Sequence, residues 1–119
     1  MHLLQFRQPP TRKRVFELVV SGPIGRWFQR HGWAAFTLPL PRGFLIFYWN
    51  TPRPSPLVRV HEFQHVEQFD GMVFIVAWVR YLTQLAIHGY RENPFERDAY
   101  EVEADAADNG LPEWAAASP

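Results

Sequence analysis

His61, Glu62 and His65 stand in the run His-Glu-Phe-Gln-His, an H-E-x-x-H pentapeptide. On a helix, side chains four residues apart lie on one side, so two imidazoles at this spacing can grip a single metal ion. Neutral imidazoles joined by one carboxylate suit zinc and leave a fourth position open to water. The metal lowers the pKa of that water. A glutamate next to the first ligand can take the water's proton and hand it to a leaving amine. The pentapeptide thus predicts one zinc ion held by His61 and His65, with Glu62 as general base of peptide hydrolysis. The competing reading is a helix with two histidines on its polar face and a solvated glutamate.

The flanking residues have to supply the helix. Thr51-Pro-Arg-Pro-Ser-Pro56 is a Pro-rich loop, and Ser55-Pro56 suits an N-cap followed by a first-turn proline. The pattern predicts a helix over about 57–70, and Val58, Val60, Phe63, Val66 and Phe69 fall on several of its sides. A helix apolar on several sides is a buried one. Histidines and a glutamate buried there need partners, which a metal provides.

A third ligand must come from elsewhere in the chain. Asn93-Pro94 opens a helix running from 94 to about 108, rich in acidic residues and ended by Asn109-Gly110. At about 100° per residue, Glu96 shares a face with Ala99, Tyr100, Glu103 and Ala107. Glu101 falls instead among Arg97, Asp98, Asp105 and Asp108, on the polar side. Small alanines around Glu96 allow close approach to the motif helix, which favours Glu96 as ligand. Two alternatives stand beside it. Asn93-Pro-Phe-Glu96 has the spacing of a capping box, in which Glu96 only reaches back to the cap. Glu101 is the rival ligand, with Asp105 four residues on to orient a histidine. Candidate donors to a developing oxyanion are Tyr100, Tyr90, His88 and Arg91, with Tyr100 foremost because it follows Glu96 by one turn. Gln64 and Gln68 are candidates for supporting contacts.

These segments together resemble the gluzincin-type zinc metallopeptidases, especially the very small bacterial and phage-associated forms called minigluzincins. The matching parts are His61-Glu-Phe-Gln-His65, the following Val66-Glu67-Gln68, and Asn93-Pro-Phe-Glu96-Arg-Asp-Ala99-Tyr, within about residues 44–108. The resemblance implies His61, His65 and Glu96 as zinc ligands and Glu62 as catalytic base. It implies a single zincin-like α+β domain over residues 1–119. In such a domain a small antiparallel or mixed sheet precedes an active-site helix, an apolar helix and a glutamate helix, and an edge strand can hold an extended peptide. Longer gluzincins carry a C-terminal subdomain with substrate-binding and transition-state groups. This chain leaves no room for one, so the resemblance names neither a specificity pocket nor an oxyanion partner.

Composition narrows the alternatives. A length of 119 residues suits one domain with one core. Twelve basic and twelve acidic residues balance to zero, which argues against broad nucleic-acid binding, and Arg7, Arg12, Lys13 and Arg14 read as a solvated tail. The lack of cysteine excludes disulfides, thiolate zinc sites and thiol nucleophiles, and fits a cytoplasmic location. Residues 1–10 lack the apolar segment of a secretory signal. The most apolar run, 72–79, is broken by Arg80 and is too short to span a bilayer; it reads as part of a buried helix from 72 to about 88, stopped by Gly89. Upstream, strands are expected at 15–20, 33–38 and 44–49, the last two joined by 39–43, with a short helix or turn at 24–31. Residues 1–13 and 111–119 are expected to be weakly structured. Trp27, Trp33, Trp49 and Trp78 read as core.

Three functional classes follow. The first is a zinc peptidase acting on a peptide or unfolded protein. The second is a zinc- or peptide-binding module without strong hydrolytic activity. The third is an interaction protein that meets a protein partner through the apolar helix at 72–87.

Overall fold

The computed structural model describes residues 2–32, 35–51 and 54–116. Strands β1 (His2–Leu4), β2 (Arg14–Val20), β3 (Ala35–Leu40) and β4 (Gly43–Trp49) form one mixed sheet in the order β1-β2-β4-β3. The two central strands run parallel, from Arg14↔Gly43 to Val20↔Trp49, because helix α1 (Pro23–Arg30) and β3 intervene in sequence. β3 returns antiparallel on β4 and forms an edge; its Pro39, which has no N–H to donate, is tolerated there. Gly43 is required where β2 and β4 meet, since a side chain at that position would run into the Arg14 carbonyl.

Period-two alternation in β2 turns Val15, Glu17 and Val19 inward. Together with Phe44, Ile46 and Tyr48 of β4 they face helix α2 (Pro56–Phe69), which contributes Phe63, Val66 and Phe69. Helix α4 (Pro94–Asn109) lies against α2 through the fully buried Ala99 and through Ala106, so the small residues on the Glu96 side do permit close approach. Between them in sequence runs α3 (Phe74–Glu92), interrupted at Gly89, whose φ of 76° favours glycine. A short α5 (Glu113–Ala116) closes on α2.

Expectation and structure part in several places. Residues 2–4 and 113–116, left weakly structured by composition, form β1 and α5. β1 pairs antiparallel with β2, and α5 is tied down by Arg59, whose Nη1 donates to the Trp114 and Ala115 carbonyls. β3 runs to Leu40, leaving only Pro41-Arg42 as the turn; Trp33 and Ala34 of the expected strand lie outside the described residues. The 72–88 helix is not a buried one, since Ala77 is the sole buried residue of α3. Trp27 is 53% exposed rather than core. Among the described residues, no single helix is long and apolar enough to cross a membrane.

Candidate metal centre

Pro56 begins α2 directly after Ser55, whose side chain makes no capping bond. One turn in, His61, Glu62 and His65 are all buried. His61 Nε2 and His65 Nε2 each lie 3.0 Å from the same Oε1 of Glu96, brought across by α4. The three donor atoms sit within 4.8 Å of one another, as a group able to hold a metal ion requires. Glu101, the rival, is exposed. The capping-box role of Glu96 is also unmet: the Asn93 side chain accepts from the Phe95 N–H, while Glu96 turns to the histidines and to Tyr81.

The outer nitrogens fix the tautomers. Gln68 Nε2 donates to the Phe95 carbonyl and to Asp98, both at 2.9 Å, which leaves Gln68 Oε1 to accept from His65 Nδ1 at 3.0 Å. Glu103 Oε1 accepts from His61 Nδ1 at 3.1 Å. With both Nδ1 atoms donating outward, neutral imidazoles would turn two Nε2 lone pairs toward a carboxylate oxygen. Such a cluster is satisfied by added positive charge, either protons on the imidazoles or one metal ion at the point of convergence. Two nitrogens and one carboxylate oxygen are a donor set that fits a divalent transition metal.

Electrostatics agree with that description. Burial pulls the His65 pKa down, but the hydrogen bond to Glu96 and the charges of Glu62 and Glu96 outweigh it and push it up to about 9. Burial would raise the Glu96 carboxyl; its hydrogen bonds to His61, His65 and Tyr81 and the charge on His65 instead hold it well below the usual carboxylate range. For Glu62 burial wins and the pKa rises, against the opposing charges of His65 and His61 and the Thr37 hydrogen bond.

Three supporting groups were given no role by the sequence reading, and each comes from a different element. Thr37 of edge strand β3 donates its hydroxyl to Glu62 Oε1 at 2.7 Å. Tyr81 of α3 donates to Glu96 Oε2 at 2.6 Å. Glu103 of α4 orients His61, the part that the sequence reading gave to Asp105 for the case of Glu101 as ligand. Only Glu103 carried a signal, its shared helical face with Glu96. Gln64 and Gln68 do make supporting contacts, both donating to Asp98.

A pocket beside Glu62, His65 and Glu96 is walled by Phe36, Phe69, Trp78, Tyr81 and Tyr90. A second, on the His61 side, is lined by Glu62, Tyr90, Tyr100 and Glu103. Tyr90 alone of the oxyanion candidates borders both. Tyr100 packs edge-on against the His61 ring at 4.4 Å, and His88 and Arg91 are exposed and line neither pocket. Burial, the Glu96 charge and a hydrogen bond to Tyr100 raise the Tyr90 pKa, so its hydroxyl stays protonated. Comparison with protein-family models, with curated proteins and with solved structures gives no match to this chain.

Proposed function

We propose that this chain is a zinc-dependent metallopeptidase of gluzincin type, acting on peptides or unfolded protein segments. The observation that carries the reading is the convergence of two imidazoles on one Glu96 oxygen with a further buried carboxylate, Glu62, beside them. A zinc ion held for structure alone has no use for such a base. Bound by His61, His65 and Glu96, zinc supplies a Lewis acid that acidifies water and polarises a carbonyl.

The chain's own groups do the rest. Glu62 takes the proton of the attacking water and delivers it to the leaving nitrogen as the C–N bond breaks; its raised pKa makes it the stronger base. Thr37 holds one Glu62 oxygen and frees the other for this transfer. β3 lies at the sheet edge, where an extended peptide can add as a further strand. Phe36, Phe69 and Trp78 offer apolar walls to a side chain next to the cut bond. Tyr90 borders the same pocket, and turning its hydroxyl from Tyr100 to the carbonyl oxygen would let it donate as charge develops there.

Glu62→Gln tests the reading, because an amide keeps the shape but cannot accept the proton. Zinc content should equal that of the unaltered protein while turnover of an unstructured peptide mixture falls to background. Equal turnover in the two proteins removes Glu62 as the base. Zinc bound by both with no turnover in either moves the protein to the binding-module class.

A further inference from the structure

The two pockets beside the candidate metal centre differ in kind. The one on the His61 side is mostly polar and reaches the exposed Gly32 and Tyr100. The one on the His65 side is mostly apolar and closed at its far end. There the Trp78 Nε1 donates to the Pro39 carbonyl at 3.0 Å and joins α3 to β3. The Tyr81 hydroxyl, 2.6 Å from Glu96, joins α3 to α4, and the buried Phe69 and Ala77 complete the wall. Ala35, Glu62 and Tyr90 border both pockets, so a bond attacked beside Glu62 lies where the two meet.

The free edge of β3 has the same asymmetry. Along a strand in an antiparallel pair, backbone groups turn alternately toward the partner and away from it. The Pro39 carbonyl turns away from β4, since Trp78 takes it, and Ala35 and Thr37, at steps of two, turn theirs the same way. Pro39 has no N–H to offer and its carbonyl is occupied. An added strand therefore finds partners at Ala35 and Thr37 and none at Pro39. Ala35 borders both pockets, whereas Pro39 borders only the closed one.

We propose, resting on the peptidase reading above, that the site removes single residues from the free amino end of a peptide, and that Trp78 restricts it to chain ends. Two observations give the direction. Antiparallel addition to β3, the more stable kind of pairing, sets the amino end of the peptide toward Pro39. The closed pocket is lined by the carboxylates of Glu62 and Glu96 and by no Arg or Lys, so it suits an ammonium group and repels a carboxylate end. The first side chain meets Phe69, Ala77 and Trp78, which favours an apolar first residue. The oxygen of water bonds to the carbonyl carbon of that residue, and Glu62 passes the proton to the nitrogen of the second. The C–N bond breaks, giving one free amino acid and a peptide one residue shorter.

The test uses the whole zinc-loaded chain and one leucine-led peptide in free, N-acetylated, C-amidated and doubly blocked forms, with products read by mass spectrometry. The free and C-amidated forms should lose leucine at equal rates, and acetylation should slow cleavage by at least about tenfold. Glu62→Gln should bind the free form at least about tenfold more tightly than the acetylated form in calorimetry. Trp78→Ala, which removes the wall, should admit the acetylated peptide and cut it internally. If that variant does not fold, the comparison of end groups in the native chain decides alone. A folded Trp78→Ala that still rejects the acetylated peptide overturns the part given to Trp78. Internal cutting of the doubly blocked peptide by the native chain, release of the last residue, or equal binding of the free and acetylated forms overturns the proposal and leaves the peptidase reading standing. Hydrolysis of no peptide at all overturns both.

Discussion

Glu96 Oε1 faces two imidazole nitrogens while Oε2 takes the Tyr81 hydroxyl, so a metal ion bound there would compete with protons for one place. The His65 pKa of about 9 lies above its unfolded value of about 6.5. In metal-free protein its contribution to stability is fully present below pH about 6.5 and is lost as pH rises through about 9. Glu96 runs the other way: its carboxyl is held low, so its contribution is present above about pH 4.3 and is lost as acid protonates it. Zinc must displace the His65 proton, so its affinity should rise from pH 6 to about 9 while the metal-free protein weakens. The gap between zinc-loaded and metal-free melting temperatures should widen over that interval; a constant gap would contradict this assignment of charge. Glu103→Ala and Gln68→Ala, which release the outer nitrogens of His61 and His65, should each lower zinc affinity about 10–100-fold without abolishing it, measured by competition with a chromogenic chelator. Residues of the site that lie at helical spacing were legible in the sequence, because His61, His65, and the Glu96 face with Glu103, follow from 3.6 residues per turn. Thr37 and Tyr81 were not, since each reaches the site from an element whose placement is a tertiary fact.

At the scale of elements, Arg59 is the residue that binds α2 to its surroundings. Its Nε and Nη2 hold both oxygens of Glu17 on β2 at 2.7 and 2.9 Å, and Glu17 also accepts from the Tyr48 hydroxyl. The remaining donors go to carbonyls of Arg7, Trp114 and Ala115, and the guanidinium lies over the rings of Phe6, Phe63 and Trp114. Arg59→Ala strands a buried carboxylate and should destabilise the fold by about 3–5 kcal/mol, read from urea unfolding. An unchanged midpoint would show that the pair is dispensable. Asn93→Ala removes the bond to the Phe95 N–H and should lower stability by about 1 kcal/mol with zinc retained, which separates capping at α4 from the part played by Glu96. The long elements were readable because prolines open α2 and α4, Gly110 ends α4, and apolar periodicity fills the interior. β1 and α5 were not. Each is only a few residues long and exists through distant partners, β2 for one and the Arg59 guanidinium for the other.

At the scale of the molecule, a mixed four-stranded sheet backs α2, and α4 lies against α2 so that candidate ligands from two helices meet in the interior. A metal there is a cross-link between α2 and α4, and α3 closes the same site through Tyr81. Removing it should therefore loosen more than the site. Zinc at 100 times its dissociation constant adds about 2.7 kcal/mol of stability, so a chelator should lower the melting temperature by several degrees. The α+β class and a small mixed sheet were within reach of the sequence, whereas the parallel pairing of β2 with β4 and the exposure of α3 depend on packing that periodicity does not encode. The most direct test is the zinc content of protein purified without added metal or chelator, for the native sequence, Glu96→Ala and Glu101→Ala. One zinc per chain in the native protein and in Glu101→Ala, and almost none in Glu96→Ala, is the predicted result. A native protein that carries no zinc and takes up none on titration would contradict the metal centre itself. Zinc lost from Glu101→Ala alone would contradict the ligand set His61, His65 and Glu96.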